Sequence, residues 1–197
     1  MKFPVELGPE SVAAGIRICR RPIFIPSFIR FGPTPQRFQA PMELDDFDLQ
    51  ILQSLQEDNQ RTSQDVAQRV NLSPVSCLRR MKRLREAGVV TADVSVVDPA
   101  AVGRGIMMVV LVSLESERAD KLDVFKRAML GAPEVMQCLS VTGEVDFVLT
   151  LTMVDMADYD TFAQRHFWGN PNVKRFSTLV VMNPVKNTLT VPVTTSA

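Results

Sequence analysis

Arg79 and Arg83 stand four positions apart in the run SCLRRMKRLRE, a spacing that brings two guanidinium groups one helical turn apart on a single helix face. A guanidinium fork fits the O6 and N7 acceptors of guanine, and it grips a phosphate equally well. On a wheel of 100° per residue Ser76, Arg79 and Arg83 point one way, while Cys77, Leu78, Met81 and Leu84 point the other. Arg80 and Lys82 lie on the flanks. Arg85 falls inside the apolar arc, so its stem is expected to pack and its head to reach water. Residues 61–88 carry seven basic and two acidic side chains, whereas a face that only keeps a helix soluble mixes its signs. The chemistry this arrangement suits is contact with double-stranded DNA.

Such side chains need a rigid carrier, and the flanking residues supply one. Thr62 caps a first short helix in a capping-box pattern with Asp65, and Val66, Ala67 and Val70 give that helix an apolar face. Asn71 stands where a tight turn needs a left-handed residue. Ser73 has the chemistry of an N-cap and Pro74 fits the first helical position. Gly88 is placed as a left-handed terminator, with Val89 expected to fold back on Leu84. Two capped helices around a tight turn, the second one basic, spell a helix-turn-helix. Thr62, Ser63, Gln64, Ser73, Val75, Ser76, Arg79, Arg80, Lys82 and Arg83 are its DNA-contact candidates. A support helix is expected from about Asp46 to Glu57, capped by Asp45, with Leu44, Ile51, Leu52 and Leu55 recurring at helical spacing. Its acids Asp45, Asp46 and Asp48 suit the positive helix end and are expected to stay away from phosphate.

The 197 residues allow one or two domains, and 46% hydrophobic content is enough for packed cores. Net charge is zero, so the basicity is local to the second helix and marks a site, not a polycation. Cys19, Cys77 and Cys138 are scattered and His166 is the one histidine. They build neither a zinc framework nor a disulfide scaffold, and no metal or cofactor is expected. No apolar run reaches membrane-spanning length, and IFIPSFIRF at 23–31 is broken by Pro26 and Arg30. A cytoplasmic protein without membrane contact is expected.

Residues 1–41 hold seven of the thirteen prolines and show no sustained period, which predicts an irregular arm, either an extension upstream of a true start at Met42, where a self-sufficient domain begins, or a basic arm that adds phosphate contacts. The DNA-binding domain is predicted at 42–93. VVTADVSVVDPAAVGRG reads as a strand and then a hinge at 94–103. From 104 to 193 the pattern is βαββαβ, a ferredoxin-like order, with 194–197 as a tail. IMMVVLVSLE is the first strand, Glu117 to Leu130 a helix with Leu122, Phe125 and Met129 inward, VMQCLSV and FVLTLTM the next strands around a turn at Gly143, Met156 to Phe167 the second helix and FSTLVVM the last strand. The first and last strands are apolar at nearly every position, so both sheet faces read as buried. Two helices cover one face; the other calls for a second copy of the chain.

Over residues 42–193 the chain resembles the Lrp/AsnC, or feast/famine, family of transcriptional regulators. The likeness rests on LDDFDLQILQSLQEDNQRTSQDVA, NLSPVSCLRRMKRLREAGVV, VVDPAAVG, TGEVDF and VKNTLTVPV. It implies an α+β protein, an N-terminal winged helix-turn-helix followed by a ferredoxin-like ligand-sensing domain. It further implies homodimers that assemble to tetramers, octamers or larger rings, and control by an amino acid or similar metabolite. The effector position in this family maps onto Thr142, Gly143, Val145 and Asp146, in the turn that also holds Glu144. There Gly143 can admit a ligand to the backbone and Asp146 can receive an α-amino group; the alternative is a plain hairpin glycine and a turn or structural carboxylate. The family often carries an aromatic residue where this chain has Val145. The function expected is a sequence-specific transcriptional regulator and not an enzyme. Two other readings share the fold, a DNA-bridging architectural protein without effector and a haem-pathway decarboxylase.

Overall fold

A computed structural model describes residues 42–193; the arm expected at 1–41, Cys19 within it, and the tail at 194–197 lie outside the described residues. Helix α1 spans Asp46–Glu57, α2 Ser63–Val70 and α3 Pro74–Glu86. Their starts are built as the residue types require. The side chains of Asp45, Thr62 and Ser73 each accept a hydrogen bond from the backbone N–H three residues on, and the first two are reciprocal capping boxes. Asn71 adopts φ 56, ψ 41 and is the one non-glycine with positive φ among the described residues, which lets the chain reverse between α2 and α3. At the far end of α3, Gly88 has φ 71; its N–H donates to Arg85 O at 3.0 Å and the Val89 N–H to Leu84 O at 3.0 Å. That is a Schellman closure. Its apolar seal differs from expectation: Val90, and not Val89, packs on the core.

Ile51, Leu55, Val66, Ala67, Val70, Cys77, Met81 and Leu84 make one buried cluster beneath these helices. Residues 91–98, expected to begin a strand, find no strand partner within the described chain, and Val94, Val96 and Val97 stand exposed. A 3-10 turn at Ala100–Val102, ended by Gly103 at φ 76, leads into the second cluster.

Strand β1 spans Ile106–Leu114, α4 Ala119–Leu130, β2 Val135–Ser140, β3 Phe147–Met153, α5 Met156–Ala163 and β4 Val173–Val180. The sheet is antiparallel in the order β2-β3-β1-β4, the ferredoxin-like arrangement. Alternation sets its two faces. Met108, Val110, Val112 and Leu114 of β1 and Phe147, Leu149, Leu151 and Met153 of β3 are buried, in one cluster with Phe125 and Met129 of α4 and Phe162 of α5. Leu111, Val148 and Leu139 sit abreast on the other face, as do Val109 and Leu179. Leu139 and Leu179 are exposed and no element of the described chain covers that face. Three elements depart from the reading of the sequence. Helix α4 begins two residues late, after Arg118, which offers no side-chain cap. The second helix ends at Ala163 and continues as a π turn, Gln164–Trp168, which leaves Trp168 exposed. Strand β4 begins three residues earlier than expected, at Val173.

Beyond β4 the chain runs without regular structure to a clasp with α1. The Gln56 side-chain amide donates to Val191 O at 3.0 Å, and the Val191 N–H donates back to Gln56 Oε1 at 2.8 Å.

Candidate nucleic-acid interface

Helix α3 buries Cys77, Met81 and Leu84 and turns the rest of its circumference outward. Burial pushes the Cys77 thiol up from its ordinary value, as suits a small core residue that stays protonated. Leu78, expected inside the apolar arc, is instead 58% exposed, and Val75 one turn before it is 78% exposed.

Four of the five cations of α3 have acidic partners. Asp48 is fully buried, and its carboxylate accepts from Arg80 Nη1 at 2.7 Å and from Arg83 Nη2. Arg80 Nη1 also donates to both oxygens of Asp45, at 2.9 and 2.7 Å, and its guanidinium lies 5.6 Å over the Phe47 ring. The bonds to Asp48 and then Asp45 raise the Arg80 pKa further. Asp45 is held below the ordinary carboxylate value, first by the backbone N–H of Asp48 and then by Arg80. The Arg80 side chain is only 21% exposed. Its guanidinium therefore fixes α3 to α1 and is not offered to a base edge, although the sequence placed it among the contact residues. Asp45 and Asp48, read from the sequence only as acids that suit the helix end and avoid phosphate, are the anchor of α3. Arg83 is 49% exposed beside Asp48, so it presents an edge to solvent while bound. Lys82 lies 3.7 Å from Glu86, and the Arg85 head, as expected, leaves the core to pair with Asp93 at 2.9 Å.

Arg79 alone has no hydrogen-bond or ion-pair partner among the described residues, and it is exposed. It thus stands ready as a bidentate donor with no internal competitor. Ser73 donates its hydroxyl proton to Ser76 Oγ at 2.9 Å, which ties the half-buried Ser76 into the cap. Thr62 and Gln64 are exposed at the start of α2 and Ser63 is half-buried there. The first turns of α2 and α3 thus present capped backbone N–H groups and hydroxyls, groups that seat phosphates.

The second candidate site, the β2–β3 turn, is pinned to β1. The Leu114 N–H donates to Asp146 Oδ2 at 2.6 Å, the Asp146 N–H donates to Val112 O at 2.9 Å, and the Val141 N–H donates to Asp146 O at 3.0 Å. Asp146 is thus a structural carboxylate through Oδ2, while Oδ1 has no protein partner among the described residues. Thr142 and Gly143 are exposed, Val145 and Asp146 half-buried. Gly143 has φ 128, and nothing lies within 4 Å of where a Cβ would stand. Glycine is required there by the backbone and not by crowding.

Asp48 reads at first as a helix-end acid, yet a signal for its burial is present in the spacing: it lies four residues after Leu44, three before Ile51 and seven before Leu55, inside the apolar arc of α1. An acid at a core position demands cations opposite it.

Compared with known proteins, residues 44–91 match the winged helix-turn-helix DNA-binding model and residues 107–191 match the Lrp/AsnC ligand binding domain. An uncharacterized HTH-type transcriptional regulator of Sinorhizobium fredii is 49% identical over 152 residues, which cover 77% of this chain and 90% of that protein. The leucine-responsive regulatory protein of Haemophilus influenzae is 31% identical over 145 residues, which cover 74% of this chain and 87% of that protein. A transcriptional regulator from Neisseria meningitidis, solved as its L-Met complex, superposes with a TM-score of 0.72 at 32% identity, covering 76% of this chain and 97% of that one.

Proposed function

This chain belongs to the Lrp/AsnC family, and from that premise we propose that it is a DNA-binding transcriptional regulator whose grip responds to an amino acid or a similar small metabolite. The observation that carries the reading is the division of labour on α3. Asp48 and Asp45 immobilise Arg80 and steady Arg83, and the rigid helix presents Arg79 without a partner. A base-reading side chain needs such fixed support, because each degree of freedom lost on binding weakens the contact. Arg79 serves base recognition; Arg83, Lys82, Ser73, Thr62, Ser63 and Gln64 serve phosphates and register.

The uncovered sheet face with Leu111, Val148 and Leu139 abreast, and the unpaired segment 91–98, support a homodimer. Two copies then set two α3 helices about 34 Å apart, one duplex turn, on a pseudopalindromic operator. The turn at Thr142, Gly143, Val145 and Asp146 is the effector position, with Asp146 Oδ1 left to receive an amino group. Ligand binding there acts on DNA affinity only by favouring one arrangement of the assembly over another.

The test is a gel-shift titration of Arg79→Ala on an operator obtained by binding-site selection. Loss of a bidentate base contact is expected to weaken binding by about 5- to 150-fold, with an unchanged melting curve since Arg79 is exposed and has no hydrogen-bond or ion-pair partner among the described residues. Unaltered affinity would overturn the assignment.

A further inference from the structure

Val75 and Leu78 are the two large apolar side chains that α3 leaves in water, at 78% and 58% exposure. Neither belongs to the buried cluster nor packs against its edge. Positions 75, 78, 79 and 82 form one ridge at helical spacing, so the pair flanks Arg79 and precedes Lys82. An apolar pair that adjoins two cations on one ridge is poorly placed to receive a second copy of the same surface, which would bring its own cations with it. It is complementary to a surface that is anionic at its rim and apolar at points within. The DNA major groove has that character: phosphates line its rims, and the thymine C5-methyl is the apolar group its floor displays.

We propose that Leu78, supported by Val75, is a specificity residue that reads thymine methyl groups next to the guanine taken by Arg79. The inference rests on the reading of α3 as a DNA-contacting helix and refines it from a basic grip to a mixed code. One side chain selects guanine by hydrogen bonds and its neighbour selects thymine by excluding water from a methyl group. The selected half-site is expected to carry thymine adjacent to the guanine that Arg79 requires.

The test uses the full chain and replaces each thymine of the selected operator, one at a time, by deoxyuridine, which lacks only the methyl. At the contacted position affinity is expected to fall about four-fold, the value of one apolar carbon withdrawn from water. In Leu78→Ala the same replacement is expected to have no further effect, as for two groups that act through one contact. Leu78 is exposed, so the variant keeps its fold, and its melting curve verifies that; the deoxyuridine scan of the unaltered protein stands without any variant. Operator binding that depends on Arg79 but is indifferent to every deoxyuridine overturns the methyl contact alone. Indifference to deoxyuridine together with a lower sedimentation coefficient for Leu78→Asp assigns the pair to a protein interface and overturns it as well. No operator binding by the unaltered protein removes the underlying reading.

Discussion

Replacing Asp48 by alanine is the perturbation that weighs most directly how α3 is held. The change removes three interactions of a fully buried carboxylate: with Arg80 at 2.7 Å, with Arg83, and with the Asp45 N–H at 3.3 Å. Breaking a fully buried ion pair from one side costs ~3–5 kcal/mol. Here the orphaned cations are not stranded. Arg80 keeps both oxygens of Asp45, and Arg83, half in water, is resolvated. The loss is therefore nearer to one charged hydrogen bond with its cap, about 2 kcal/mol. In a domain this small each kcal/mol moves the thermal midpoint by about 4–8 °C, so the helical transition should shift down by roughly 8–16 °C. Circular dichroism melts of the full chain read this, and Asp48→Asn, which retains an acceptor for the cap, should fall between. A double-mutant cycle of Asp48→Asn with Arg83→Gln should return a coupling of about 1 kcal/mol. A loss below about 0.5 kcal/mol, the scale of an exposed ion pair, would refute the anchoring role.

The uncovered sheet face predicts that the protein sediments as a dimer or larger at micromolar concentration and that Leu111→Lys lowers its mass; a monomer for the unaltered chain would overturn the sheet interface. Gly143→Ala should cost the C-terminal cluster around β1–β4 about 1–2 kcal/mol in urea titration, because φ 128 is a glycine conformation even though open space surrounds it; an unchanged midpoint would show that the turn relaxes freely. Burial, and then the charge of Arg165, lower the pKa of His166 below its ordinary 6.5, with Glu134 opposing. The folded state thus favours the neutral ring, so stability is full above pH 6.5 and declines as pH falls from there through the lowered value. His166→Gln should flatten that slope in thermal melts between pH 8 and 5, and an equal slope in both would assign it elsewhere.

The caps of the reader were legible because each is local: Thr62 with Asp65, Ser73 with Pro74, and Asn71 and Gly88 at left-handed positions are decided within three or four residues. The βαββαβ order was legible from periodicity for the same reason. What escaped the sequence depends on partners far along the chain. Asp48 reads as a surface acid until Arg80 and Arg83 are brought to it across more than thirty residues. Leu78 reads as core by type, since the wheel gives its direction but not the extent of α1 and α2 beneath it. Arg80 and Arg83 look alike in sequence, and only burial separates the fastener from the half-free side chain. The π turn after α5 is closed by a Gly169 N–H donating to Gln164 O at 3.1 Å, a five-residue step that helical periodicity does not distinguish from the end of an ordinary helix.

The clasp between Gln56 and Val191 makes the polypeptide a closed circuit. Between α1 and the residues after β4 there are now two routes, one through segment 91–105 and one through this amide pair, whose members lie 135 residues apart. A body tethered at two points hinges about the line joining them and resists swivelling about any other. The support helix and the residues after the last strand are thus joined twice, and only loss of both amide bonds returns them to a single covalent leash.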